Sequence, residues 1–563
     1  MTLFHPIEPL QSADVPEKKT PNWKLMGPGA VLVGLSIGAG EIIIWPRIAA
    51  EYGSSMVWAA IVGVFLQMWI NLEIGRWTIA TGETVYTGYC RMWRGFAFVF
   101  IGITIFAWIA PGWGRASGSA LKALVGFSLD ADWQDNKNWV WSDTLWTTIT
   151  FVFVALALFG PKLVYRSVER TVEALVVIVV IGLIAVAIAV GTSQTWKELG
   201  IGMVQVGHVE ESGRRRLNLN EEQTTQFKSG VITKPLCAAI SASLELKNID
   251  DESDLTITKE SDAHWSIRVT DTGQTYPVTV KELSLIATTP AITAKAFFIA
   301  LVFAGAGGTA NLFYTFYLRD KHIGMGARIP SMHNPLRGKT EKTPTTGFAY
   351  VDNNANRGRF RKWLSFVRAD QGWFFFGLNS VTILLFIFGA LAVLRPDGIV
   401  PGKGTLVWDE AAVLEKVWGS AGRVTFLCVG LATLFSTQLA LIDGVARSMA
   451  DLLYTNFSAA RKRDVGWWYL IVAGIWIVAG CVITFIMEGL GVSDLGFLFN
   501  AAYIGGFAMA IYVPLTLYMN LRHLPKSAKP GWFSIAMMVI ASCVYVGFAV
   551  FCLVSEVRVR IGG

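Results

Sequence analysis

The sequence predicts an all-α membrane protein that crosses the bilayer many times. Of its 563 residues, 53% are hydrophobic and only 16% are charged, and the mean hydropathy is +0.47. A soluble chain of this length needs more charge to keep its surface wetted. Many of its apolar runs exceed the roughly 18 residues that can cross the hydrocarbon core as a helix. The 22 tryptophans and 55 glycines fit this class, because Trp favours membrane interfaces and Gly favours close helix packing.

The apolar runs predict about eleven transmembrane helices, because unpaired backbone groups cannot face lipid. The predicted spans are 28–50, 56–75, 95–117, 143–160, 170–193, 290–318, 371–394, 422–444, 466–489, 496–520 and 531–555. The connection after the sixth span, 319–370, is strongly basic. Lys and Arg concentrate on the cytoplasmic side, so the N-terminus is predicted inside and the C-terminus outside, in the plasma (inner) membrane. This topology also accounts for the net charge of +7 without a nucleic-acid partner.

A polar stretch between the fifth and sixth spans interrupts this pattern. The chain therefore divides into a cytoplasmic tail (1–26), helices one to five (27–193), an extracytoplasmic insert (194–287), helices six to eleven (288–555) and a C-terminal tail (556–563). Alternating polar and apolar residues flank the turn Asp271–Gln274, which predicts a β-hairpin in the insert. The tail 1–26 lacks an apolar core, so no cleaved signal peptide is predicted.

The sequence lacks the motifs of several catalytic classes. It contains no GxxxxGK[ST] phosphate loop and no HExxH zinc motif, so neither ATP-driven pumping nor metalloprotease chemistry is expected. We predict that the protein is not an enzyme, holds no cofactor and does not use ATP. Transport, conduction and sensing remain, with the lipid bilayer as the partner.

The first and sixth spans are both interrupted by glycines near their middles. The first carries Gly34, Gly38 and Gly40 before Glu41, and the sixth reads Ala-Gly-Ala-Gly-Gly-Thr-Ala-Asn over 304–311. Such breaks at corresponding places in two halves mark the substrate site of inverted-repeat transporters. Spans one to five and six to ten form the halves, with the eleventh appended. Tight helix packing is an alternative explanation for each break taken alone.

Glu41 is the acid that most strongly indicates a site, because a carboxylate at membrane depth is costly and is rarely kept without a partner. The alternative is a structural ion pair of Glu41 with Arg47 or Arg115. Two other acids lie near span ends, where ion pairs within one helix are predicted: Glu73 with Arg76, and Asp443 with Arg447.

Several stretches of the membrane part together match one known family. They are Gly27-Pro28 through Glu51-Tyr52-Gly53 to Val57-Trp58, Ile79-Ala80-Thr81-Gly82, Ser117-Gly118-Ser119-Ala120, Asn311-Leu312 and, more loosely, Pro514-Leu515. In these stretches the chain resembles the Nramp family of divalent metal-ion transporters. The resemblance covers 28–190 and 290–555 and omits the insert. It implies a five-plus-five inverted-repeat (LeuT-like) fold with eleven helices.

The family's functional motifs are altered here. Its Asp-Pro-Gly-Asn falls on Gly38–Glu41, where the glycine survives and an acid replaces the asparagine. Its Met-Pro-His falls on Gly308–Ala310, which has neither thioether nor imidazole. The span-three carboxylates that the family uses for protons fall on Gly112 and Arg115.

The resemblance thus implies an altered ion site, with Glu41 as the metal ligand and Arg115 as a charge partner or part of a proton path. A polar residue in span ten falls near Asn500 or Ala501. The candidate substrate-binding residues are Gly38, Ala39, Gly40, Glu41, Gly307, Gly308, Asn311 and Asn500.

The absence of the family's methionine, histidine and span-three acids bears on the identity of the ion. A thioether favours Mn²⁺ or Fe²⁺ over Ca²⁺ and Mg²⁺, so an all-oxygen site suits a hard cation. Magnesium-selective relatives of Nramp lack the methionine, which makes Mg²⁺ the leading candidate. Loss of the span-three acids argues against family-type proton coupling. The alternatives are a transporter of a small organic solute, such as an amine or amino acid, and a transport-dead sensor whose insert binds a ligand.

Overall fold

The computed structural model describes the chain except for residues 1–3, 6, 26, 132, 134–137, 162–163, 247–248, 250, 282–283, 337–342, 403–405, 491–493 and 563. Arg337, Lys339 and Lys342 of the basic loop lie outside the described residues.

The long apolar helices follow the predicted apolar runs, and further helices lie in the insert and in the basic loop. They are α1 (Asn22–Leu25), α2 (Pro28–Ser36), α3 (Trp45–Tyr52), α4 (Val57–Thr81), α5 (Val85–Met92), α6 (Phe96–Trp108), α7 (Gly112–Ser128), α8 (Asp143–Phe159), α9 (Val164–Val190), α10 (Ser193–Val204), α11 (Glu221–Ser229), α12 (Lys234–Leu244), α13 (Ala294–Val302), α14 (Tyr314–Asp320), α15 (Asn354–Asp370), α16 (Asn379–Gly389), α17 (Leu406–Asn456), α18 (Val465–Gly489), α19 (Asp494–His523) and α20 (Trp532–Gly562). Within the described residues, eight helical segments are long and apolar enough to cross a membrane. The count of eleven crossings stays a prediction, as does the orientation.

Three features depart from uninterrupted spans. The first span is divided into α2 and α3, and the sixth into α13 and α14. The eighth span is predicted over 422–444, but α17 is much longer and contains a kink at Gly419, where φ is +58°. The kink separates an initial segment, 406–418, from the part of α17 that contains the predicted span 422–444.

The insert is partly β, as predicted. Its strands are β2 (Ser212–Arg216), β3 (Leu255–Lys259), β4 (His264–Val269), β5 (Thr275–Lys281) and β6 (Ser284–Pro290), and they form one antiparallel sheet in the order β2-β6-β5-β4-β3. The predicted hairpin is confirmed, since Ile267 pairs with Tyr276 across the turn. The insert has its own core, built around Phe227, Trp265 and Val278. It is therefore a small folded unit that its own apolar residues stabilise.

Ion pairs join the insert to the membrane part. Arg47 at the start of α3 contacts Glu245 at 2.8 Å, and Arg215 of β2 contacts Glu51 at 2.7 Å and Glu245 at 3.5 Å. Burial lowers the pKa of Arg215, but the charge and hydrogen bond of Glu51 outweigh burial and raise it overall. These ion pairs thus hold the insert against one end of the helical bundle. We call this end the insert side.

The N-terminal tail also contacts the basic loop through backbone pairing and a hydrogen bond. Strand β1 (Gln11–Ser12) pairs in parallel with β7 (Phe348–Ala349). The Val15 amide donates to the Asn356 side chain at 3.1 Å. The tail and the loop 319–370 therefore lie together.

The two broken spans lie at the centre of the bundle. Every residue of α2 is buried, and α2 packs against α9 and α17. The sixth span, α13 and α14, packs against α4 and α19. Surrounding helices thus exclude lipid from both breaks, which is the condition under which non-helical backbone is tolerated at membrane depth.

Candidate functional site

The first span is broken by a π-helical turn, Ile37–Glu41. Side chains from two other helices bind carbonyl groups within this turn and in the last turn of α2. The Thr437 hydroxyl of α17 donates to the Gly34 carbonyl at 2.9 Å, and the Trp113 indole of α7 donates to the Gly38 carbonyl at 3.2 Å. The loosened backbone is therefore fixed by hydrogen bonds from α7 and α17.

Close approach explains two of the glycines in this turn. A Cβ at Gly40 would lie 1.6 Å from the Phe303 carbonyl oxygen, at the end of α13. A Cβ at Gly38 would lie 2.2 Å from the Thr437 hydroxyl oxygen. Only glycine fits at either position, and the contact between Gly40 and Phe303 brings the two broken spans together.

The sixth span is broken at Gly307 and Gly308, whose φ angles are +68° and +49°. A 3₁₀ turn, Gly308–Phe313, then leads into α14. The side-chain oxygen of Gln67 on α4 accepts from the Gly307 amide and from the Asn311 side chain, both at 3.1 Å. Gln67 therefore satisfies donors that the break leaves without helical partners.

Tyr512 on α19 binds the same break from the other side. Its hydroxyl donates to the Gly308 carbonyl at 2.8 Å and accepts from the Asn311 side chain at 3.2 Å. Asn311 is thus held between Gln67 and Tyr512, and the predicted residues Gly307, Gly308 and Asn311 lie in one hydrogen-bonded group.

Glu41 ends the first break and is fully buried. Among the described residues, neither of its carboxylate oxygens has a hydrogen-bond partner. Thr382 on α16 lies beside it, but the Thr382 hydroxyl donates to the carbonyls of Leu378 and Asn379. The side-chain oxygen of Asn379 also has no partner within the described chain, while its amide donates to the Ala304 carbonyl at 3.1 Å. The site therefore contains oxygen atoms that nothing else satisfies.

The structure rules out the ion-pair alternatives for Glu41. Arg115 contacts Asp143 at 3.6 Å, and Arg47 contacts Glu245. Arg115 is thus engaged with Asp143 and does not pair with Glu41, whereas its place in a proton path stays a prediction. The two pairs predicted within helices are confirmed, with Glu73–Arg76 at 2.9 Å and Asp443–Arg447 at 2.8 Å.

The span-ten residue predicted near Asn500 or Ala501 stays a prediction. Asn500 is exposed near the start of α19, and Tyr512 of the same helix contacts the second break. Gly38, Gly40 and Glu41 lie together as predicted, and Ala39 belongs to the same turn by its backbone. The sequence does not predict the roles of four further residues, Gln67, Trp113, Asn379 and Tyr512. The one available signal is the polar amide of Gln67 within a strongly apolar stretch of α4.

The donor set for a metal ion is sparse. Within the part of the chain that the structure describes, no group of three or more His, Cys, Asp or Glu side chains could hold a metal. A cation at Glu41 would rely on this one carboxylate, on neutral oxygens such as that of Asn379, and on backbone carbonyls or water.

Two broken helices thus meet beside a buried acid, inside a helical bundle, as the predicted inverted-repeat membrane fold requires. Two mutant structures of the Eremococcus coleocola manganese transporter share it, with TM-scores of 0.55 and 0.56 and sequence identities of 12% and 13%. In each case the match covers 98% of this chain and 91% of the other. The membrane fold implied by the sequence motifs is thereby confirmed, whereas its helix count stays a prediction. No family model and no curated protein matches the sequence.

Substitution of Gly307 at the second break should lower the stability of the protein. Gly307→Ala forces a side chain into positive φ and places its Cβ 2.3 Å from the Phe303 ring. We expect a loss of about 1–3 kcal/mol, because strain and overlap add. Thermal unfolding in detergent measures this loss. Gly474→Ala is the matched control, since nothing lies within 4 Å of its Cβ in α18. Equal unfolding midpoints for the two variants would contradict the prediction.

Proposed function

We propose that the protein is a secondary membrane transporter that carries a divalent cation, with Glu41 as the only formal charge contacting the ion. The observation that carries this proposal is the complete burial of a carboxylate whose two oxygens are unpartnered within the described residues. An isolated buried charge is strongly unfavourable, so such a group needs a cation or a proton at some stage of its work.

The position of Glu41 supports transport over a purely structural role. It ends the break of the first span, and Gly40 beside it touches the break of the sixth. In inverted-repeat transporters, unwound backbone at this level coordinates the cargo while the two halves move around it. The flanking hydrogen bonds from Trp113 and Thr437 fix the carbonyl groups of this backbone in advance.

The chemistry of the neighbouring groups supports a hard cation. Thr382, the side chain placed beside Glu41, offers oxygen, and Asn379 one turn earlier on α16 has an unpartnered side-chain oxygen among the described residues. Position 308–310 supplies no thioether and no imidazole. Oxygen donors suit Mg²⁺, which also keeps part of its water when protein ligands are few. We therefore propose Mg²⁺ as cargo, ahead of Mn²⁺ and Fe²⁺.

Residues of the third span indicate what drives transport. The family's proton-handling acids are replaced by Gly112 and by Arg115, which is engaged with Asp143. We propose that transport lacks the family's type of proton coupling and follows the electrochemical gradient of the ion.

Reconstitution tests this function. Purified protein in liposomes containing a metal-sensitive dye is exposed to Mg²⁺, Mn²⁺, Ca²⁺ or a fluorescent organic amine. We expect Mg²⁺ influx that grows with an inside-negative potential, with Ca²⁺ and Mn²⁺ slower. Protein-free liposomes and liposomes without a potential are the controls. Influx of the amine with none of the three metals would overturn the proposal.

The aromatic residues beside the first break favour a second candidate substrate, an organic amine. Three aromatic rings lie beside the first break: the Trp113 ring is 5.3 Å from Trp108 and 5.8 Å from Phe303, centroid to centroid. Aromatic faces attract organic ammonium groups, and Glu41 would balance their charge. A small organic cation is therefore the second candidate substrate.

A further inference from the structure

A second buried acid lies on the insert side of Glu41. Glu410 belongs to segment 406–418, the part of α17 that precedes the kink at Gly419. Only 1% of Glu410 is exposed, and neither carboxyl oxygen has a hydrogen-bond partner among the described residues. The proposed function makes no use of this group.

The surroundings of Glu410 are apolar. It lines a cavity of about 10 Å³ together with side chains from the third, ninth, sixteenth and seventeenth helices. These include Pro46, Leu183, Val186, Phe386, Val413 and Phe426. Such a space holds at most one water molecule. Among its described lining residues, Glu410 is the only acid and no amide or hydroxyl accompanies it. Mg²⁺ prefers six oxygen ligands, so the cation that this cavity suits is the proton.

Charged residues do adjoin this cavity along the elements packed against it. They are Asp409 on the same segment, Arg47 after Pro46, Arg395 after α16, and Arg423 after the kink, whereas α9 carries no charge after Glu173. The three arginines contact other partners, namely Glu245, the Glu51 carbonyl and Glu415. Asp409 accepts from the Gly402 amide and lines the large cavity on the insert side. Lys403 lies outside the described residues.

Segment 406–418 separates two spaces. Its residues Val407, Trp408 and Asp409 line a cavity of about 1220 Å³ on the insert side, which Arg47 and Glu245 also border. Glu410 faces the small apolar cavity instead. On α16, the residues from Thr382 beside Glu41 to Ala390 beside Glu410 rise about 12 Å toward the insert. Segment 406–418 therefore lies between the large cavity and the small apolar one.

We propose that Glu410 is a protonation site that couples the position of segment 406–418 to the pH on the insert side. The neutral acid packs among apolar side chains without a large penalty, whereas the ionised group requires water or a counter-charge. Loss of the proton therefore favours conformations in which the segment lifts and Glu410 becomes hydrated. Raising the pH favours the lifted state, and lowering it favours the closed one. This inference is independent of the identity of the cargo.

A thiol-accessibility experiment tests the coupling without measuring transport. Val413 lines the same cavity and is 2% exposed, so Val413→Cys reports on lifting of the segment. The labelling rate with a membrane-impermeant thiol reagent is measured against pH in the full-length protein in liposomes, with the unsubstituted protein as background. Glu410→Gln in the same Val413→Cys chain supplies the intrinsic pH dependence of the thiol, because its side chain cannot ionise.

The expected result is a ratio of labelling rates, that of the chain retaining Glu410 divided by that of the Glu410→Gln chain. We expect this ratio to rise with pH by up to about tenfold per unit. Glu415→Gln is the matched control, since this carboxylate on the same segment is paired with Arg423. The labelling rate of the Glu415→Gln chain, divided by that of the Glu410→Gln chain, should still rise with pH. A ratio that stays constant with pH overturns the proposal. If Glu410→Gln fails to fold, Glu410→Met provides the same non-ionising reference. Failure of metal influx in the reconstitution assay does not affect this readout.

Discussion

Replacing Glu41 with Gln should reduce cation influx by at least roughly 100-fold, equivalent to about 2.8 kcal/mol of lost binding. The substitution keeps the size of the side chain and removes the formal charge that Glu41 places at the first break. A divalent cation stripped of part of its water cannot be held at membrane depth by neutral oxygens alone. The measurement is initial Mg²⁺ influx into liposomes, at matched amounts of incorporated protein.

Stability separates loss of function from loss of fold in this variant. Glu41 has no described hydrogen-bond partner, so Glu41→Gln removes no observed contact and should not lower the midpoint of thermal unfolding. Glu41→Asp keeps the charge and should retain part of the influx. Glu221→Gln, at an exposed position on α11 of the insert, should transport like the wild type. Wild-type influx of every cation through Glu41→Gln would refute the role of this carboxylate.

The membrane fold was predictable because its signals are local. A run of about 20 apolar residues has no alternative to a helix in lipid, so the positions of most spans follow from the sequence. The breaks were predictable for a related reason, since Gly40 and Gly307 occupy backbone positions that other residues fit poorly. The hairpin of the insert likewise follows from alternation around a short polar turn.

The partners of the charged residues were not predictable in the same way. Glu245 reaches Arg47 across 198 residues of sequence, and only the folded insert brings it there. The same holds for Tyr512, because the span-ten resemblance rests on Pro514-Leu515 and places the polar residue near Asn500 or Ala501. Segment 406–418 lies outside every predicted span, since its charges interrupt the apolar run and conceal the buried Glu410.

A second large effect is expected at Arg447, which is fully buried on α17. Its Nε atom donates to both carboxylate oxygens of Asp443, at 2.9 and 2.8 Å, and a terminal nitrogen donates to Asp320 at the end of α14. The Tyr469 hydroxyl of α18 also donates to Asp443, at 2.9 Å. One guanidinium therefore neutralises two buried acids and links the sixth span to α17 and α18.

Arg447→Met should destabilise the protein by about 3–5 kcal/mol, because it leaves two carboxylates buried without a counter-charge. Thermal unfolding in detergent, at a pH where both acids are ionised, measures this effect. Arg522→Ala, at an exposed arginine on α19, is the control and should change the midpoint little. Neutralising the acids as well, in the combined variant Asp320→Asn, Asp443→Asn and Arg447→Met, should restore much of the lost stability. A combined variant as unstable as Arg447→Met would show that packing of the arginine, and not compensation of charge, holds α14 against α17.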